Sequence, residues 1–268
     1  MGCFAPYDPR GALNVKRDND VEKGYQGHHF RSVLAADERG FSPDGRLDPL
    51  RRYGWDVVST EMPLYPLGAA DPRGYLTGPD SAVEMGKALS RTYLGACLDS
   101  NDEQIRQYFC CDYAPIALSV VRGLPNEDNV SMRWHCDSGP TRHLKMLVYL
   151  NETDGATGVI KRMDTDLFFR AGYAYCELKQ RLGDDGTREF ALKHEIPFCP
   201  TFVTPPPGQA ILFEPALVLH RGKAPTEGER VMLQIILVPE MRLWREHFDT
   251  LWPTIESNVA ARSAPLTE

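Results

Sequence analysis

The sequence has no apolar run of the roughly 18 residues that a membrane helix requires, and its N-terminus lacks the charged-then-apolar layout of a secretory leader. The opening Met1-Gly2-Cys3-Phe4-Ala5-Pro6 places a proline where a myristoylation motif needs Ser or Thr. Positive charge is also short. Thirty Lys and Arg face 37 Asp and Glu, a formal charge of -7 with a pI near 5.6. That balance excludes a general nucleic-acid binder, whose affinity rests on neutralising phosphates. The seven cysteines are scattered, with no CxxC pair of the zinc type. They read as buried free thiols in a reducing compartment. A cytoplasmic protein with no membrane and no nucleic-acid partner is expected. No internal repeat is present.

What the chain does contain is an ordinary globular composition, 42% hydrophobic and 25% charged over 268 residues, enough for one sizeable core. A single domain spanning 1–268 is expected, with an N-terminal irregular and helical elaboration (1–112), a β-barrel core (113–240) carrying an insertion (164–196), and a C-terminal helix and tail (241–268). Turn clusters such as Ser42-Pro43-Asp44-Gly45 and Asp71-Pro72-Arg73-Gly74 mark the first part as irregular, with a short strand near Trp55 to Val58. From Ser81 to Cys110 apolar residues recur at helical spacing, broken at Asp99-Ser100-Asn101. Beyond Asp112 come short runs with turn punctuation at Ile116–Val121, Lys145–Leu150, Gly158–Arg162, Thr201–Val203, Ala210–Phe213 and Val231–Val238. These predict an all-β barrel or jelly roll rather than βαβ units. The insertion, with its charged turn Gly183-Asp184-Asp185-Gly186, is expected as a hairpin or helix over the barrel mouth. A last helix is expected from about Leu243 to Val259, with Trp244, Phe248, Leu251 and Ile255 as its apolar stripe, serving as core or as a dimer contact.

Within the β region lies His135-Cys136-Asp137. Alternate residues of a strand face one side, so His135 and Asp137 point together into a barrel while Cys136 packs away from it as a buried hydrophobe. His220, after the apolar run Ala210 to Phe213, returns across the barrel as a third ligand. Two imidazoles and one carboxylate on one face of a ferrous ion leave the opposite positions open for a cosubstrate and O2. Ten residues further on, Arg230 heads a strand, where its guanidinium can pair two-pronged with a carboxylate in a geometry that Lys does not reproduce.

The ordered set His135-x-Asp137, Leu147-Val148-Tyr149-Leu150-Asn151, Gly158-x-Ile160-x-Arg162, the strand from Gly208 to Phe213, His220 and Arg230 resembles the Fe(II)/2-oxoglutarate-dependent oxygenases. The likeness is greatest to their prolyl-hydroxylase-like and phytanoyl-hydroxylase-like branches, and covers about residues 130 to 240. It implies a mainly β fold with a helical layer: a double-stranded β-helix core, jelly-roll and cupin-like, flanked by α-helices. It implies Fe(II), 2-oxoglutarate and O2 as cofactors and His135, Asp137 and His220 as the catalytic metal ligands. Arg230 is implied to hold the far carboxylate of 2-oxoglutarate, with Tyr149 as a second contact to it. The implied reaction is hydroxylation of a C–H bond coupled to decarboxylation of 2-oxoglutarate to succinate and CO2. Met232 stands where many relatives carry Ser or Thr, so that hydroxyl contact is missing. Asp137, not Gly or Ala, disfavours halogenation.

Other residues read more blandly. His143 lies across the turn Ser138-Gly139-Pro140-Thr141 and is not taken as a ligand. His28 and His29 fall in a loop-like stretch. Trp134 is packing, and Arg133, one strand step before His135, is a candidate contact to an acidic substrate. The expected substrate is a small molecule enclosed by the N-terminal segment and the insertion. The alternatives are a peptide or protein hydroxylase of the same superfamily, a cupin-type metal enzyme without 2-oxoglutarate, and a non-catalytic binding protein on the same scaffold.

Overall fold

The computed structural model describes residues 48–62, 80–126, 128–137, 142–173 and 181–263. The turn clusters at 42–45 and 71–74, His28 and His29, and the turn 138–141 lie outside the described residues. In chain order the elements are α1 (Asp48–Tyr53), β1 (Trp55–Ser59), α2 (Asp80–Leu98), α3 (Asp102–Phe109), β2 (Asp112–Gly123), β3 (Leu144–Tyr149), β4 (Ala156–Val159), α4 (Arg162–Arg170), α5 (Asp184–Lys193), β5 (Thr201–Val203), β6 (Gln209–Phe213), β7 (His220–Lys223), β8 (Arg230–Glu240) and α6 (Phe248–Ser263). Each predicted strand and helix has a counterpart, but the run Gly158–Arg162 is a strand only as far as Val159, and Arg162 opens α4. β7 is an addition, because His-Arg-Gly-Lys carries no apolar alternation to announce it.

Two antiparallel sheets face each other. The larger has the order β1-β6-β3-β8-β2 and the smaller β5-β4-β7. A bridge between His135 and His220 extends the smaller sheet beyond β7, and one between Trp134 and Leu182 extends it again. Counting the His135 segment as a strand, the chain passes from one sheet to the other at each step between β2 and β8, except that β4 and β5 pair with each other within the smaller sheet. That alternation is the winding of a double-stranded β-helix. β2 is the edge of the larger sheet, and its register shifts between Pro115 and Ala117. A proline is tolerated at such a position because an edge strand need not donate from every nitrogen.

The outer face of the larger sheet carries the main apolar core. Leu144, Met146 and Val148 of β3 and Val231, Leu233, Ile235 and Leu237 of β8 pack against Tyr93, Leu94, Cys97 and Leu98 of α2, Ile105, Tyr108 and Phe109 of α3, and Phe248, Trp252 and Ile255 of α6. The stripe of α6 is therefore core. The Asn101 amide closes the joint between α2 and β1 by donating to Ser59 O at 2.8 Å and Cys97 O at 3.0 Å. A second cluster lies between the sheets, formed by Leu147, Tyr149, Val159, Ile211, Phe213, Val218 and Met232. The cysteines of the described residues are free thiols, but burial holds only for some: Cys97 and Cys136 are enclosed, whereas Cys110 and Cys199 are exposed. Cys110 ends α3 in the left-handed conformation, which turns it out of the helix's apolar face.

The described part of the insertion is helical, one of the two forms expected, and the charged turn is the start of α5, with Gly183 as N-cap and Asp184 and Asp185 in the first turn, where carboxylates suit the helix dipole. Among its described residues, the buried apolar ones pack away from the barrel interior. Phe168, Tyr173 and Ala191 are buried with Trp134, Cys136, Ile160 and Leu219, and Phe190 and Phe198 pack on them. Trp134 and Cys136 alternate with His135 and Asp137 along the chain, so this cluster lies on the outer side of the smaller sheet.

Candidate metal centre

His135, Asp137 and His220 converge. One ligand atom from each lies within 4.8 Å of the others, and among the described residues no other group of three or more His, Cys, Asp or Glu does so. Oδ1 of Asp137 stands 3.5 Å from Nε2 of His135 and 3.5 Å from Nε2 of His220. The imidazole rings lie 4.3 Å apart.

The backbone explains why both rings present Nε2. His135 and His220 exchange backbone hydrogen bonds, N to O, at 2.9 and 2.8 Å, which sets them side by side across adjacent strands. Nδ1 of His135 lies 2.6 Å from Arg133 O, and Nδ1 of His220 lies 2.8 Å from Val218 O. A carbonyl only accepts, so each Nδ1 carries its ring's proton and each Nε2 offers a lone pair to the same point. Nε2 of His220 is buried and makes no hydrogen bond. Desolvation, followed by the charge of His135, lowers the pKa of His220 to about 4 in spite of Asp137, so the ring is neutral near pH 7. The Asp137 carboxyl is pushed upward by burial, but Lys145 and then the two imidazoles override this and hold it well below the usual carboxylate range. Two imidazoles that present Nε2 to one point beside an ionised carboxylate suit a divalent cation of the first transition row.

The strand that carries two of these groups is clamped from outside. Trp134 N donates to Leu182 O at 2.9 Å, its indole Nε1 donates to Asp184 Oδ1 at 2.7 Å, and Tyr173 donates from its hydroxyl to Trp134 O at 3.2 Å. Arg221, the neighbour of His220, pairs with the other oxygen of Asp184 at 2.7 Å. The described part of the insertion thus fixes both ligand-bearing segments from outside.

Asp137 N donates to Pro215 O at 2.7 Å, joining the ligand to the turn after β6. Glu214, fully buried in that turn, bridges Arg142 at 3.2 Å and Arg162 at 3.1 Å. A buried carboxylate is tolerated only with such partners. These three residues, and Lys145, are not marked as site residues by the sequence alone. Lys145 shares the inward phase of β3 with Leu147 and Tyr149, and counting back in steps of two from Tyr149 finds it.

Arg230 and Tyr149 lie at the other end of this interior. Arg230 is buried and donates from Nη1 to Ala156 O. It threads between two glycines: a Cβ on Gly155 would come within 3.0 Å of its Cδ, and one on Gly222 within 3.0 Å of its Nη2. Tyr149 places its hydroxyl 3.0 Å from Thr157 Oγ1 and 3.2 Å from Val203 O. Burial raises its pKa, although the charge of Arg230 works in the opposite direction. Arg133 is exposed and pairs with Asp128 at 3.5 Å, so it does not join the three. His143 is buried and is not among the converging residues.

No family model and no curated protein matches the chain. Among solved structures it is similar to EctD from S. alaskensis with bound Fe, at 16% identity over 75% of this chain and 79% of that one, with a TM-score of 0.50. It is also similar to HygX from Streptomyces hygroscopicus with nickel and 2-oxoglutarate bound, at 14% identity over 76% of this chain and 89% of that one, TM-score 0.43. A third is the non-heme alpha ketoglutarate dependent carbocyclase SnoK from nogalamycin biosynthesis, at 12% identity over 75% of this chain and 85% of that one, TM-score 0.46. The strand order and the EctD likeness together define the fold as a double-stranded β-helix. Among the described residues no helix is long and apolar enough to cross a membrane.

Proposed function

We propose that this chain is an Fe(II)- and 2-oxoglutarate-dependent oxygenase that hydroxylates a C–H bond of a small molecule. The observation that carries the reading is the convergence of Nε2 of His135, Oδ1 of Asp137 and Nε2 of His220 inside the barrel, with both Nδ1 atoms engaged by carbonyls. The donor set fits a ferrous ion, with nitrogen and carboxylate ligands on one face and no fourth His, Cys, Asp or Glu among the described residues. Bound there, iron would supply activation of O2 coupled to oxidative decarboxylation of 2-oxoglutarate to succinate and CO2.

The chain's own residues do the rest. Arg230 and Tyr149 form the cationic and hydroxyl-bearing end of the interior, and take the far carboxylate of the cosubstrate. The apolar side chains Leu147, Ile211, Phe213 and Met232 line the space between and exclude water from it. The Glu214 bridge and the external clamp on Trp134 keep the ligand segments in register. In support of a small substrate, both ligand segments lie within the barrel instead of on an open face. The described part of the insertion packs outside, so it is not assigned to substrate; the N-terminal segment before Asp48 lies outside the described residues.

The experiment is to load the metal-free protein anaerobically with Fe(II), admit O2 and 2-oxoglutarate, and measure succinate and CO2, with Co(II) absorption as the report on binding. Metal-dependent succinate formation and a Co(II) spectrum that changes on adding 2-oxoglutarate are expected. A protein that binds Co(II) but is indifferent to 2-oxoglutarate would instead be a cupin-type metal enzyme. One that binds no metal would remove the reading altogether.

A further inference from the structure

The metal carboxylate has two oxygens, and the fold gives them different partners. Oδ1 of Asp137 faces Nε2 of both histidines at 3.5 Å. Oδ2 is taken by the ammonium of Lys145. Lys145 belongs to the first inward position of β3 and is 8% exposed. Its Nζ lies over the Phe213 ring, 5.9 Å from the centroid, and that ring stands edge-on to His220 at 4.9 Å. Burying an ammonium is costly unless it is paired, and a strand in a barrel has no need of a lysine on its inner face. Here the cation is placed against one oxygen of one ligand and held there by an aromatic wall.

Resting on the metal-centre reading above, we propose that Lys145 is a positioning residue that makes Asp137 a one-oxygen ligand and lowers the site's affinity for the cation. Two consequences follow from charge and geometry. An ammonium on Oδ2 keeps that oxygen from closing a four-membered chelate on the metal, which would fill a position that cosubstrate or O2 requires. The ammonium also neutralises the carboxylate, so a divalent ion in the site keeps its full double charge toward the remaining ligands. Together with Arg230, this favours a dianionic cosubstrate over a neutral one. Affinity for the metal is thereby exchanged for affinity for the anion.

Two variants of the full-length protein separate these effects. Lys145→Met keeps length and bulk but removes both charge and donor. Lys145→Gln keeps an N–H donor directed at Oδ2, on a side chain one bond shorter, and removes the charge. Metal-free proteins are titrated with Co(II), following heat and visible absorption, and then with 2-oxoglutarate. Both variants should bind Co(II) about tenfold more tightly, since a like charge beside the ion has gone, and both should need more 2-oxoglutarate to shift the spectrum. Only Lys145→Met should change the Co(II) spectrum itself, as the freed oxygen adds to the coordination. Unchanged or weaker Co(II) binding in a folded Lys145→Met, with the wild-type spectrum, would overturn the proposal and leave Lys145 as filling. If Lys145→Met does not fold, Lys145→Gln carries the affinity test: tighter Co(II) binding supports the proposal, and unchanged or weaker binding overturns it. Absence of Co(II) binding in the wild type would overturn the metal-centre reading itself, so the two failures are distinguishable.

Discussion

β3 and β8 each present two faces to two different interiors, and the contrast between them divides the molecule's labour. Outward, Leu144, Met146 and Val148 and Val231, Leu233, Ile235 and Leu237 meet the helices in an all-apolar core. Inward, the same strands offer Lys145, Leu147 and Tyr149, and Arg230, Met232 and Gln234, which are buried as well. One face is built from groups that need no partners. The other sets Lys145, Tyr149, Arg230 and Gln234, whose burial is tolerated only with specific partners, among apolar neighbours such as Leu147 and Met232. The helical side should therefore govern folding, and the barrel side should govern ligands.

Substitution of the ligands is the strongest test of that division. His135→Ala and His220→Ala should abolish metal-dependent succinate formation while the purified proteins still unfold cooperatively in urea. Near-wild-type turnover in either would remove the centre. The converse change is Leu233→Ala on the outer face, which should cost about 2–5 kcal/mol of stability, read from the urea midpoint, and leave the Co(II) dissociation constant of the folded protein unaltered. A change in metal affinity there would show that the two faces are coupled.

At the inner face's far end, Arg230→Ala should raise the 2-oxoglutarate requirement by about 30-fold or more, the loss expected when one partner of a buried charge pair is removed. Iron binding should persist. Gly222→Ala should act in the same direction by a few-fold, because the new methyl would press on Arg230 Nη2 and on Met132 Sδ at 2.9 Å; saturation kinetics with 2-oxoglutarate resolve both.

A further effect is one of pH. His220 titrates at about 4 in the fold against an ordinary value of 6.5, so between those values the unfolded chain binds a proton that the folded chain refuses. Stability of the metal-free protein should then decline as pH is lowered from 6.5 towards 4, by at most about 1.4 kcal/mol per pH unit from this group. Asp137, with its depressed value, loses its contribution only below 3.8, outside that window. Urea titrations at pH 7, 6 and 5 on the wild type and His220→Asn test this, and an equal decline in both would assign it to other groups.

Much of this is legible in the amino-acid order because the relevant signals are local. The two-residue spacing of His135 and Asp137 fixes a common face, and short apolar runs between turn residues fix strands. β7 escapes because its four residues carry no alternation, and its place is set by pairing with β4 and with His135. Lys145 escapes because a lysine in a strand reads as solvent-facing until the inward phase of that strand is known. The insertion suggests a lid from its position alone. Which way its phenylalanines turn depends on Trp134 and Cys136, which lie far from it along the chain.

The alternation of Trp134 and Cys136 with the ligands has one more consequence. A slip of a single residue in this segment would aim an indole and a thiol at the cation, and thrust an imidazole and a carboxylate into the aromatic packing of the insertion. Misalignment is penalised on both sides of the sheet at once, so the pocket's chemistry and the segment's adhesion proofread each other during assembly.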